Sequence, residues 1–311
     1  MTGTAAAGAP VPVGIHLGLM ATMAAWALNV TVVKWLTGVT DVMLVASLRM
    51  VCAAAVLCVL LYAARQQLPR WRGRLLLLAL GCGLLMVYAN QMLFAGAMES
   101  TTATNAALIL ALNPLLNGVL EAAVFRKRLR APFVGGALLA VAGVLLVVLN
   151  RDGVRFAGPS PGDMMVLASM FAFGAGGLAL QRLSGVAAAI ALNTFVYLTG
   201  ACALVLHALL ALPAPLAAVA ALEWPAWCAI LFSGAVATAL GGVGWSRGVA
   251  AMGMGRSAIY MAWVPVLGVG FGALLLGEKL TVWHPVGMTL VLAGTILGSV
   301  RGKRMGEPAD G

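Results

Sequence analysis

Two ionisable side chains stand alone inside long apolar runs: Arg49 in MLVASLRMVCAAAVLCVLL and Glu121 in NPLLNGVLEAAVF. A charge buried at mid-membrane costs about 2.5–3.5 kcal/mol on insertion scales, so each needs a partner. Arg49 falls nine residues into its apolar stretch, roughly 13 Å deep at 1.5 Å per residue, too far for easy snorkelling. Its guanidinium could pair with a helix carbonyl or an Asn, or face a cavity and grip a carboxylate or phosphate in a bidentate fork. Glu121 could be an inner-end residue paired with Arg126 or Arg128, or a protonatable coupling group facing a vestibule. Its nearness to those two arginines favours the ion pair slightly.

A larger set of neutral polar and aromatic residues is buried in the same kind of sequence. Trp26, Asn29, Tyr88, Asn90, Gln91 and Asn113 belong to the first half, and Asn193, Tyr197, Trp245, Tyr260 and Trp263 to the second. Singly, an Asn or Gln could be interhelical glue, and an aromatic ring could belong to an interfacial belt. As a set they are candidates to line a substrate cavity. Cys52, Cys58, Cys82, Cys202 and Cys228 form no CxxC, and His16, His207 and His284 are scattered, so neither metal nor cofactor is expected.

The elements that carry these residues follow from composition. Of 311 residues, 62% are apolar and 9% charged, where a soluble chain needs about 25% charged residues to cover its surface. Lipid must cover this one. The net charge of +10 then belongs to cytoplasmic loops and anionic lipid, and not to a nucleic-acid partner. Parting the chain at charges and Pro/Gly clusters predicts ten spanning helices, near 14–35, 40–62, 74–97, 102–125, 132–150, 163–182, 187–207, 226–246, 256–277 and 282–300. The first has no Lys or Arg before it and is long enough to span, so it reads as a helix and not a cleaved signal peptide. Stretches such as GALLAVAGVLLVVL lack the alternation of a barrel strand. The expected fold is all-α and integral to the membrane.

Orientation comes from the loops. With the N-terminus inside, fourteen Lys and Arg fall on the cytoplasmic side, against Lys34, Arg151, Arg155 and Lys279 outside. The positive-inside rule therefore puts both termini in the cytoplasm, in an inner membrane, with 301–311 as a basic cytoplasmic tail.

Sliding the chain by 151 residues pairs Pro114 with Pro265, Gly136 with Gly287 and Gly143 with Gly294 without a gap. Five helices per unit is an odd number, so residues 14–150 and 151–300 should be inverted repeats. The connection FRKRL lies inside while its counterpart LGEKL lies outside. Inversion would also set the first-half polar residues between midplane and outer third, and the second-half ones between midplane and inner third. Pro114 and Pro265 should each free a carbonyl and bend a helix.

Both halves resemble EamA-type domains of the drug/metabolite transporter superfamily, over nearly all of residues 14–300. The most specific stretch is GMGRSAIYMAWVPVLGVGFGALLLGEKLTVWHPVGMTLVLAGTILG, with its central Pro, its Gly-Glu-Lys-Leu turn and a Gly-containing last helix. The first half departs from the pattern by placing Lys127 where the turn has its Glu, which favours a topological or helix-end role for Glu278. The resemblance implies a secondary transporter of ten helices, commonly an exporter of metabolites or toxic compounds. Few acids, one deep Arg and an Asn/Gln/aromatic set suit amino acids or related metabolites, moved by alternating access through a central cavity. A multidrug exporter or a lipid-headgroup flippase are the alternatives. An integral-membrane enzyme would need catalytic residues clustered at one face, and the histidines lie in three different connections. No Walker A motif supports direct ATP coupling.

Overall fold

The computed structural model describes residues 12–126, 129–150, 159–183, 185–252 and 254–299. Among them every regular element is helical. We label them α1 (Val13–Thr37), α2 (Val42–Ala63), α3 (Gly73–Ser100), α4a (Ala103–Leu110), α4b (Asn113–Phe125), α5 (Ala131–Leu149), α6 (Pro161–Leu183), α7 (Ala189–Ala211), α8 (Trp224–Met252), α9a (Met254–Met261), α9b (Trp263–Leu276) and α10 (Trp283–Ser299). A short helix, Pro215–Ala220, precedes α8. Eight helices of the described residues are long and apolar enough to cross a membrane, and α4a with α4b, bent by 41°, would make a ninth. The last helix, α10, has 17 residues, at the short end of what a bilayer needs.

Four of the ten expected spans depart from a regular helix, two of them where a proline bend is expected. The fourth helix is broken at Ala111–Leu112 and the ninth at Ala262. Proline explains both breaks. It lacks an N–H, and its ring crowds the carbonyl four residues back. For Pro114 that residue is Leu110, the last of α4a; for Pro265 it is Met261, the last of α9a. The third and eighth helices each contain a π-helical stretch, Leu84–Ala89 and Phe232–Leu240. All four irregularities pair up at the 151-residue offset.

Packing follows the same offset. α5 lies against α10 so closely that a Cβ on Gly136 would come 2.4 Å from the Gly294 carbonyl, and one on Gly143 would come 2.6 Å from that of Gly287. The order of these contacts makes the two helices antiparallel. Gly136 meets the repeat mate of Gly143, and Gly143 meets the mate of Gly136, the exchange a two-fold axis produces. Small residues allow this approach in a bilayer, where the apolar effect does not drive helices together. Gly83 of α3 meets Thr199 of α7 and its mate Gly234 of α8 meets Arg49 of α2, so that pairing is reciprocal too.

Some pairings are not reciprocal. Asn90–Ser100 of α3 packs on α1 and α2, while its mate stretch Gly241–Met252 of α8 is not among the packed partners of α6 or α7 in the described residues. α4a packs on α9b, with Gly268 against the Ala107 side chain and Gly272 against Thr104. The symmetry-related halves α4b and α9a are not among the packed pairs of the described residues. The bundle thus has two unlike ends: a Lys34 end, where α1, α3 and α9b finish, and a His16 end, where α1 and α9a begin.

Candidate functional site

Arg49 is 1% exposed. Its Nε–H donates to Ser233 Oγ, and that hydroxyl donates in turn to Asn29 Oδ1. An Nη1–H donates to Gln91 Oε1 at 3.2 Å; Gln91 Nε2 donates to Asn90 Oδ1 at 2.8 Å; Asn90 Nδ2 donates to the Ser169 carbonyl at 2.9 Å. The chain links α8, α1, α2, α3 and α6. Tyr197 of α7 lies close enough to Arg49 to interact with it electrostatically.

These residues sit at one depth. Asn29 to Thr37, Val42 to Arg49, Gln91 to Ser100, Pro161 to Ser169 and Trp224 to Ser233 are each seven to nine steps along their helices, roughly 10–14 Å from the Lys34 end. Five helices reaching a common level from the same end make a polar plate inside an apolar bundle. Among the described residues, the hydrogen-bond acceptors recorded for Arg49 are neutral oxygens, so its charge is solvated without being cancelled.

Of the residues singled out in the sequence, Asn29, Arg49, Asn90, Gln91 and Tyr197 therefore meet. Trp26 sits on the His16 side of the plate, with its indole N–H on the Ala237 carbonyl at 2.9 Å and its ring 5.9 Å from Trp245. That carbonyl belongs to the π stretch of α8, where the ladder is irregular. Tyr88 leaves the plate: its hydroxyl bonds His207 Nδ1 at 3.0 Å. Asn193 donates to Ala189 of its own helix. Asn113 opens α4b at the break, where its buried Oδ1 has no hydrogen-bond partner among the described residues. Glu121 is half-buried on α4b, and Arg128 lies outside the described residues.

Tyr260 and Trp263 are elsewhere, in an open cleft of about 500 Å³ at the His16 end that also holds His16, Met252, Arg256 and Ile259. The Tyr260 hydroxyl bonds His16 Nδ1.

Sequence reasoning missed Ser233 and Ser169, and at the Lys34 end it named Glu278 only for a topological or helix-end role. A helical Ser is silent in sequence, because its hydroxyl can be satisfied by a carbonyl one turn back. Ser233 is nonetheless the joint between Arg49 and Asn29. At the Lys34 end, Glu278 Oε1 accepts from Ala103 N–H at 2.7 Å and Oε2 from Thr104 N–H at 2.8 Å. A carboxylate there satisfies two of the orphan donors of the α4a N-terminus and complements its dipole. Gly277, in left-handed conformation at φ 67°, turns the chain so that Glu278 can fold back. Lys34 donates to the Met98 carbonyl, within electrostatic reach of Glu99 and Glu278.

Known proteins resemble this chain over most of its length. A Bacillus subtilis protein named "Uncharacterized transporter YetK" is 25% identical over 298 residues, covering 94% of this chain and 88% of its own length. A Salmonella typhimurium protein named "Probable amino-acid metabolite efflux pump" is 28% identical over 278 residues, covering 86% and 89% respectively. A chain of known crystal structure superposes with a TM-score of 0.64 at 19% identity, covering 92% of this chain and 96% of that one, which shows a shared fold. The model of the EamA-like transporter family matches residues 13–149 and again 160–300. With two copies of that domain on a multi-pass helical membrane scaffold, the chain belongs to the EamA-like transporter family.

Proposed function

We propose that the protein is a secondary transporter that exports small zwitterionic metabolites, amino acids or close relatives, by alternating access. The single observation that carries this is the plate around Arg49: a buried cation held by neutral groups from several helices at one depth. Burying a charge without cancelling it is costly, and the cost makes sense where a substrate carboxylate completes the pair. Trp26, Asn29, Gln91 and Tyr197 would frame the rest of the substrate. The unpartnered Asn113 Oδ1, beside the carbonyl that Pro114 frees at Leu110, is an acceptor site of the kind an ammonium group uses. Tyr260 and Trp263 would stand at the mouth of the path.

The topology we attach to this reading is ten membrane-crossing helices in two inverted repeats of five, with both termini in the cytoplasm of an inner-membrane protein. The reciprocal glycine contacts of α5 with α10 support the inversion, and the loop charges support the orientation. The Lys34 end then faces out and the His16 cleft faces the cytoplasm. The name of the Salmonella relative supports amino-acid metabolites as the class to try first.

A proteoliposome screen tests the proposal, with amino acids, cationic drugs and lipid headgroups each offered with and without a proton gradient. Saturable movement of amino acids is the expected result. Movement of cationic drugs alone would make the protein a multidrug exporter, and lipid scrambling alone a flippase.

A further inference from the structure

We infer that this structure is the cytoplasm-open state of the transport cycle, and that Glu278 is the latch that holds the outer side shut. The inference rests on the alternating-access reading and adds which side is closed and by what.

Two-fold symmetry requires that if α4a packs on α9b, then α9a packs on α4b. The first contact is present, with Gly268 on Ala107 and Gly272 on Thr104; the second is absent from the packed pairs of the described residues. In the proposed orientation α4a and α9b are the outer halves of the two broken helices, and α4b and α9a the inner halves. The unmatched packing of Asn90–Ser100 of α3 on α1 and α2 lies at the outer end as well, so the closure is one-sided. The breaks at Ala111–Leu112 and Ala262 are repeat mates, and they allow outer and inner halves to close independently. The cleft beside α9a, about 500 Å³ and lined by Arg256, Tyr260 and Trp263, lies on the side where the halves stand apart.

Glu278 spans the closed seam. It follows α9b, yet both its oxygens accept from the first N–H groups of α4a, in the other repeat. Separating the outer halves must break two charge-assisted hydrogen bonds and leave the Ala103 and Thr104 N–H groups unpaired, with the Thr102 hydroxyl still capping α4a through Asn105 N–H. Gly272 makes room for this: a Cβ there would come 2.9 Å from Glu278 Oε2 and 2.9 Å from Thr104 Cγ2. The repeat mate of Glu278 is Lys127, which lies outside the described residues; a lysine has no acceptor and cannot serve a helix N-terminus in this way. At this pair of repeat positions the chemistry of the latch therefore exists on one side only, and the resting protein should favour the cytoplasm-open state.

Spin-label distances in lipid nanodiscs test this without any substrate. In a background with the five free cysteines replaced, one pair is placed at Ser100 and Lys279 on the Lys34 end. A second pair is placed at Val124 and Ile259 on the His16 end. With Glu278 intact, each pair should give one dominant distance. In Glu278→Ala, a second population should appear, in which the first pair lengthens while the second shortens. Glu278→Gln keeps the shape and one acceptor and should give a smaller share of that population. Unchanged distances in both variants would overturn the latch. So would lengthening at both ends, which means a loosened bundle and not a switched one. A switch with no transported compound in the proteoliposome screen would sink the transport reading alone.

Discussion

At the scale of single residues, the polar plate shows how burial cost leaves a mark in a sequence. Arg49, Asn29, Asn90 and Gln91 were legible because each carries polar atoms that its own helix cannot satisfy, so each must find a partner on another helix. Ser233 and Ser169 were not legible, since a hydroxyl and a backbone carbonyl leave no such debt. Tyr88 and His207 were read apart and are bonded to each other, because neither position predicts the angle at which α3 meets α7. Arg49→Lys should raise the apparent KM for carboxylate-bearing substrates about ten-fold or more while the protein still inserts and folds. Lysine keeps the charge but loses the fork that reaches Ser233 and Gln91 together. Initial rates across a substrate range in proteoliposomes check this, and unaltered kinetics would return Arg49 to a purely structural role. Glu121→Gln is expected to leave gradient-driven accumulation intact, as a residue with a structural role on α4b would. Uphill accumulation that vanishes while exchange persists would make Glu121 the coupling residue instead.

At the scale of elements, the long apolar runs gave most helices to within a few residues, because hydropathy alone decides what a bilayer accepts; α8 runs past its expected end at 246 to Met252. Proline at 114 and 265 gave the breaks. The π stretches in α3 and α8 carry no comparable mark, since an extra residue in a turn leaves composition and periodicity almost unchanged. Glycine sorts by what lies beyond its Cα. Gly143→Val would drive a side chain into the Gly287 carbonyl and the Leu290 Cβ, at 2.6 and 2.8 Å from the first added carbon. It should destabilise the α5–α10 contact by about 1–3 kcal/mol, the usual range for overpacking. Gly81, within α3, has nothing within 4 Å of a Cβ; Gly81→Ala should be neutral or gain about 0.5–1 kcal/mol from helix propensity. Thermal unfolding of both variants in the same detergent decides the matter, and equal midpoints would mean that α5 and α10 are not held by this seam.

At the scale of the whole molecule, the repeat was legible because its offset has no gaps, and the orientation we propose rests on the basic residues that crowd one set of loops. The state of the cycle was not legible, since a sequence with two similar halves is compatible with either end closed. Topology has its own check: a membrane-impermeant thiol reagent added outside should modify Cys introduced at Lys279 and spare Cys introduced at Arg70, and the reverse pattern would invert every assignment of inside and outside. The central claim is that Arg49 and its neutral partners bind the carboxylate of a small substrate on its way across. Counterflow in proteoliposomes tests it most directly, with vesicles preloaded with an unlabelled amino acid and offered the labelled one or its decarboxylated amine. The account predicts that the labelled amino acid accumulates transiently, that the amine does not, and that Arg49→Gln abolishes the difference by removing transport of the acid. Equal counterflow of acid and amine, unchanged in Arg49→Gln, would contradict it.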